Sequence, residues 1–117
     1  MNSKFVLFQS EENNQFYFRF IDLNGRNVLR SEGYTTKQNC QKGIESVKTH
    51  APADKNYERL KATDGRYYYN HKAENNEVIA TSNFYVNVQD RKSSIYLVKS
   101  EAPSAQVVDK TKEKLYS

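Results

Sequence analysis

A duplication constrains this chain more than any other feature of it. Slid against itself by 51 residues, the sequence places Tyr17 on Tyr68, Asn24 on Asn75, Ser31 on Ser82, Tyr34 on Tyr85 and Gln38 on Gln89. The register runs on without a gap through Ile44 on Ile95, Val47 on Val98, Lys48 on Lys99, Ala51 on Ala102 and Pro52 on Pro103. A chain of 117 residues supports one hydrophobic core, and half of it has too little apolar surface to fold alone. The two copies are therefore expected to share a core, related by an approximate two-fold axis within one chain.

Each copy has the same hydrophobic plan. In the first, Phe5–Gln9 reads as a short apolar strand, Glu11-Glu12-Asn13-Asn14 as a turn and Phe16–Ile21 as a second strand rich in aromatics. Asn24-Gly25 signals a two-residue hairpin with positive φ at both central positions, leading into a third strand at Asn27–Ser31. From Thr36 the apolar period changes to that of a helix, with Cys40, Gly43, Ile44, Val47 and Ala51 on one face. Thr35 or Thr36 caps its start, Thr35 and Gln38 having capping-box spacing, and Pro52 ends it. The second copy repeats the plan with strands Tyr57–Lys61, Arg66–Lys72 and Glu77–Ser82, turns at Asp64-Gly65 and Asn75-Asn76, and a helix from Asn87 to Glu101. In that helix Arg91 and Ser94 replace Cys40 and Gly43, while Val88, Ile95, Val98 and Ala102 keep an apolar line.

The expected fold is α+β: two tandem β-β-β-α repeats, residues 4–53 and 55–103, forming an antiparallel sheet with both helices packed on one face. Residues 1–103 make one domain. Residues 104–117 have no counterpart in the first copy and read as a C-terminal tail, either frayed or an added helical turn.

Composition narrows the function classes. The net charge of +4 divides into excesses of +2 over residues 1–53, +1 over 54–103 and +1 over 104–117, so no block of charge marks a nucleic-acid arm. Cys40 is the single cysteine and closes no bridge within the chain. Together with the lack of a long apolar run, that points to a reducing cytoplasm and away from membranes.

The residues Ser31-Glu32-Gly33-Tyr34, Gly43-Ile44-Glu45-Ser46-Val47-Lys48 and Ala51-Pro52, with the aromatic strand and Asn24-Gly25, carry a family likeness. In combination they resemble the YegP-like family of small bacterial proteins, over residues 4–103 and including the tandem arrangement. The resemblance implies a compact α+β fold and supplies no catalytic residues. The second copy departs from the pattern: Asn76 stands at the turn glycine, Phe84 at Gly33, and Ser94-Ile95-Tyr96-Leu97-Val98 replaces Gly-Ile-Glu-Ser-Val. Tyr96 and Leu97 are expected to add an exposed apolar spot, and a function symmetric in the two helices is disfavoured.

Alternation in the central strands defines the candidate site. Phe16, Phe18 and Phe20 share a face with Tyr67, Tyr69 and His71, which is the core face. The opposite face carries Tyr17, Arg19, Tyr68, Asn70 and Lys72, rings and donors on a sheet surface that no helix covers. These five are the candidate ligand-binding residues, either as contacts for a protein or peptide or as a platform for single-stranded nucleic acid. Cross-strand packing alone also accounts for rings at such positions.

Ser31 and Ser82, recurring at the strand-to-helix junctions, read as hydroxyls that fix turns. His50 and His71 lie in no metal-binding spacing, and the four glycines are isolated rather than grouped in a phosphate-cradling loop. No cofactor, metal or catalytic triple is indicated. The expectation is a non-enzymatic interaction or accessory module, monomer or homodimer, with an enzyme as the weakest alternative.

Overall fold

The computed structural model describes residues 3–111. Its elements are β1 (Lys4–Gln9), β2 (Phe16–Ile21), β3 (Asn27–Ser31), α1 (Lys37–His50), β4 (Tyr57–Lys61), β5 (Tyr67–Lys72), β6 (Val78–Ser82), α2 (Val88–Glu101) and β7 (Gln106–Asp109). Single 3-10 turns at Asp54–Asn56 and Ala102–Ser104 lead from each helix into the following strand. The seven strands form one sheet in the order β4-β5-β6-β3-β2-β1-β7.

The duplication appears in the sheet as an internal two-fold. β3 and β6 pair antiparallel at the centre, with Leu29 opposite Ser82, Arg30 opposite Thr81 and Ser31 opposite Ala80. Leu29 and Ala80 occupy equivalent places in the two copies, as do Ser31 and Ser82, so the pseudo-axis passes through the Arg30–Thr81 pair. One bulge interrupts each side: Val28 and Ile79, again equivalent, are the extra residues where β3 meets β2 and β6 meets β5.

Both helices lie on the face carrying the alternate aromatic residues. Phe5, Leu7, Phe18, Phe20, Tyr69 and His71 are fully buried there, beneath Cys40, Ile44 and Val47 from α1 and Ile95 and Val98 from α2. Phe5 sits at the centre of the first half, edge-on to Phe18 at 5.9 Å and tilted against Phe20 at 4.8 Å, geometries that aromatic quadrupoles favour. Thr36 caps α1 by accepting from the Asn39 amide, and Asn87 caps α2 by accepting from Asp90. The Thr35 capping box is thus replaced by a cap one residue later.

Three expectations are corrected. Asn24-Gly25 does not form a two-residue hairpin: Gly25 N–H donates to Asp22 O, Asp22 pairs with Arg26, and only Gly25 has positive φ (83°). This is a longer turn closed by a left-handed residue, set by Asp22 Oδ1 accepting from the amides of Asn24 and Arg26 at 2.9 Å each. The second copy uses the same turn at Ala62–Arg66 and Ala73–Glu77, with Asn76 at φ 74° taking the glycine's position.

The tail reading is corrected too. Gln106–Asp109 forms β7, paired parallel to β1 in register from Lys4–Gln106 to Leu7–Asp109, so the sheet is mixed rather than wholly antiparallel. Each helix is followed by a 3-10 turn and a strand at the sheet's edge, but β4 pairs antiparallel with β5 whereas β7 pairs parallel with β1. The part of that expectation covering residues 112–117 lies outside the described residues. Finally, Val88, expected on the buried line of α2, is half exposed, its neighbours in the first turn of the helix are exposed too, and the buried line starts at Ser94 and Ile95.

Candidate functional site

Cross-strand register assembles the uncovered face into rows. One row runs across the sheet from Glu58 through Asn70, Thr81, Arg30 and Arg19 to Val6 and Val108. Residues directly opposite on neighbouring strands point to the same side, so these side chains form a continuous surface. The expected residues Tyr17, Arg19, Tyr68, Asn70 and Lys72 all lie on this face; Arg30 joins them as a residue the alternation reading did not name. Its position depends on how β3 registers with β2 past the Val28 bulge, which no local pattern encodes.

The two halves of the face differ in their chemistry. In the second half the polar groups satisfy one another: Thr81 Oγ1 donates to Asn70 Oδ1 at 2.9 Å, Asn70 Nδ2 donates to Glu58 Oε1 at 3.3 Å, and Lys72 Nζ lies 3.2 Å from the same carboxylate. Hydrogen bonds from Lys72 and then Asn70 hold Glu58 below the ordinary carboxylate range. Lys72 and Asn70 are therefore engaged within the chain.

In the first half Arg19 and Arg30 stand opposite each other on adjacent strands. Both are exposed. Among the described residues, Arg26, Lys37, Lys48, Arg59, Arg66, Lys72 and Lys99 have carboxylate partners, whereas Arg19 and Arg30 have none. The Arg19 guanidinium lies 4.8 Å from the centroid of Phe8, itself stacked on Tyr17 at 5.8 Å. Tyr17 accepts at its hydroxyl from Asn13 Nδ2 at 2.9 Å. This ring stack orients Arg19 without neutralising it.

The rings of the second half are arranged differently. Tyr68 meets the edge of Phe84 at 5.4 Å, and the Arg66 guanidinium sits 4.1 Å from the Phe84 centroid. Phe84 takes the place that Gly33 has in the first copy. A Cβ at Gly33 would meet the Gln15 amide and come within 3.0 Å of the Tyr17 hydroxyl. The first copy therefore closes this spot with Gln15, and the second leaves an exposed ring there.

The remaining candidates have structural roles. Ser31 Oγ accepts from the Phe18 amide at 2.9 Å and donates to Glu32 O, and Ser82 does the same for Tyr69 and Asn83. Cys40 is buried, and burial pushes its thiol up to about 12, far from a reactive thiolate. His71 is buried against Tyr57 at 4.7 Å between ring centroids, with Nε2 3.4 Å from Val47 O and Nδ1 without a partner. His50 Nδ1 lies 2.8 Å from Ser46 O in the last turn of α1. Of the expected apolar spot on α2, Tyr96 is exposed whereas Leu97 packs against the core. No helix among the described residues is long and apolar enough to cross a membrane, and no group of three or more metal-ligating side chains gathers there.

The architecture defines a class: a two-repeat α+β protein, folded as a dimer within one chain, with one sheet face covered and one open. The model of the family described as a domain of unknown function, DUF1508, matches residues 11–58 and 62–109, and the chain belongs to that family. The matched unit begins in a turn and ends in the strand after the helix, reaching Tyr57 and Glu58 of β4 in one copy and spanning β7 in the other. The UPF0339 protein YegP of Escherichia coli K12 is 39% identical over 107 residues, covering 92% of this chain and 96% of its own. A UPF0339 protein of Bordetella pertussis is 40% identical over 111 residues, covering 95% and 98%. The solution NMR structure of Escherichia coli yegP, titled a protein of unknown function, superposes with a TM-score of 0.87 over 95% of each chain. That of a UPF0339 protein from Shewanella oneidensis gives 0.90 at 34% identity, covering 97% of this chain and 95% of its own. None of these names carries a catalytic activity.

Proposed function

We propose that the protein is a non-enzymatic interaction module whose uncovered sheet face binds an anionic partner, with Arg19 and Arg30 at the centre of the contact. The observation that carries this reading is the unneutralised arginine pair. Like charges directly opposite on paired strands cost stability, and Thr81, which occupies the place equivalent to Arg30, avoids that cost. A planar guanidinium fork suits carboxylate or phosphate recognition, so an anion supplied by a partner turns a local cost into affinity. Tyr17 and Tyr68 flank this centre as apolar contacts, while Asn70 and Lys72 shape it through Glu58. A cytoplasmic setting fits the single buried thiol.

Single-stranded nucleic acid would use the same cations. It is the weaker reading, because beside the two arginines Phe8 already stacks on Tyr17 and lies under Arg19, which leaves no run of free ring faces along the cationic centre for successive bases. The test is a titration of isotope-labelled protein with acidic peptides and with oligothymidylate at low ionic strength. Amide shifts centred on β2 and β3, weakening with salt, support an anion-binding face; shifts confined to the helices contradict it.

A further inference from the structure

We infer that the partner is an extended acidic protein segment read at two points: carboxylates over Arg19 and Arg30, and a large apolar side chain against Tyr68 and Phe84. This inference rests on the anion-binding reading of the open face. It adds a partner class, a spacing and a direction.

The asymmetry of the two halves is the evidence. Positions that the pseudo-axis makes equivalent have diverged in two coupled ways: Arg19 and Arg30 face Asn70 and Thr81, while Gln15 and Gly33 correspond to Arg66 and Phe84. The first divergence concentrates free positive charge on one side of the axis. The second leaves Phe84, 41% exposed, beside Tyr68 and the cross-strand Leu60 on the other. A cationic centre and an apolar pad on opposite sides of a two-fold do not suit a symmetric ligand. They suit a chain with a sequence and a direction.

Sheet dimensions give the spacing. Strands lie about 4.8 Å apart and residues rise about 3.3 Å along each, which puts Tyr68 roughly 12 Å from Arg30 and roughly 16 Å from Arg19. An extended peptide covers that when its apolar residue lies about four or five positions along from its acidic one. Glu58 reinforces the direction: it already engages Lys72 and Asn70, so the second half holds these donors within the chain, unlike the free arginines of the first. A second copy of this chain is a poor occupant, because two-fold contact through this face would set the same arginines against each other.

The test uses the full chain, isotope-labelled, with three synthetic peptides. One carries paired glutamates and a phenylalanine about four or five residues away; the second has the same composition with the phenylalanine beside the glutamates; the third replaces the glutamates by glutamine. The spaced peptide is expected to bind about tenfold more tightly than the compact one, and the glutamine peptide to leave the Arg19 and Arg30 amides unmoved. Phe84→Gly, which restores the first copy's residue, should erase that difference by weakening binding of the spaced peptide. Phe84→Leu should retain most of it, and Arg30→Thr should weaken both glutamate peptides. If both glutamate peptides bind alike and both still respond to Arg30→Thr, the two-point inference fails and the anion-binding reading stands. If neither shifts the Arg19 and Arg30 amides, both fail. If oligothymidylate of equal charge binds more tightly than the spaced peptide at the same salt, the segment is not the partner.

Discussion

Arg30 and Thr81 hold the same place in the two copies and face each other across the central strand pair, so the internal two-fold runs between an arginine and a threonine. Symmetry of the backbone is kept here while symmetry of the chemistry is abandoned. On the far side of Arg30 lies Arg19, and on the far side of Thr81 lies Asn70. One pair repels and the other is hydrogen-bonded.

Replacing Arg30 with threonine should therefore stabilise the fold while removing anion binding. Relief of the like-charge pair is expected to raise the unfolding free energy by about 0.5 kcal/mol, measured as a higher urea midpoint with an unchanged slope. The gain should shrink as salt is added, since the repulsion is between exposed charges. A loss of stability would mean that Arg30 packs for structural reasons, and it would undercut the assignment of this face.

His71 makes stability depend on pH. Burial lowers it from its ordinary value of 6.5 to about 4, against the opposing hydrogen bond to Val47 O. Between those values the unfolded chain takes up a proton that the folded chain does not, so stability is complete above pH 6.5 and falls as the pH drops towards 4. The loss is expected to approach about 3 kcal/mol. His71→Phe, which copies Phe20 of the first repeat, should flatten this window in urea titrations at about pH 7 and about pH 4.5. The steeper loss below pH 4 should survive it. That loss belongs to carboxylates such as Asp54, held at about 2 by hydrogen bonds from Arg59 and Lys99.

Helix-to-sheet contacts in the two halves are solved by matched sets of residues. In the first, Gly43 leaves room for the Tyr34 hydroxyl, and a Cβ there would also fall 2.9 Å from Tyr34 Cζ and 3.1 Å from Phe18. In the second, Ser94 fills the gap, and its Oγ meets the hydroxyls of Tyr69 at 2.7 Å and Tyr85 at 2.8 Å. Ser94→Ala leaves the buried Tyr69 hydroxyl without that partner, and should cost about 1–3 kcal/mol. Tyr69→Phe in the same chain should recover part of it. Gly43→Ala should cost a similar about 1–3 kcal/mol through overpacking, relieved by Tyr34→Phe. Thermal unfolding of the single and double variants reads the coupling.

Much of this architecture is legible because it is written in local periods. The bounds of β2, β3 and β4 follow from alternation between turn residues, and α1 from the 3.6-residue stripe through Cys40, Ile44 and Val47. The same alternation places Arg19 and Tyr68 on the open face. It does not place Arg30, since its neighbour across the sheet is chosen by the bulge at Val28, a register decision made between strands. Phe84 is visible in the sequence only as a departure from Gly33; that it creates a pad depends on Tyr68 and Arg66 converging in three dimensions. β7 escapes such a reading because Pro103 looks like the end of a repeat, and the strand after it pairs with the opposite end of the chain.

That pairing supplies a further prediction. β1, an apolar strand, is kept from being the sheet's edge by β7, which covers its outer side: Lys110 N–H donates to Leu7 O at 2.8 Å, Asp109 pairs with Lys37 at the start of α1, and Ala105 is buried. On the opposite edge Arg91 Nη1, reaching from α2, donates to Leu60 O at 2.8 Å. That contact engages a backbone acceptor on β4 and sets a long charged side chain beside the edge. Ending the chain after Ser104 uncovers a strand reading Lys-Phe-Val-Leu-Phe-Gln, with a row of unpaired backbone groups and no charge in its interior. The truncated protein should unfold at lower urea and associate in a concentration-dependent way, read by sedimentation. Val6→Lys, on the open face of that edge, should suppress the association without restoring the lost stability. A truncated chain that stays monomeric with full stability would show that β7 contributes nothing to closing the sheet.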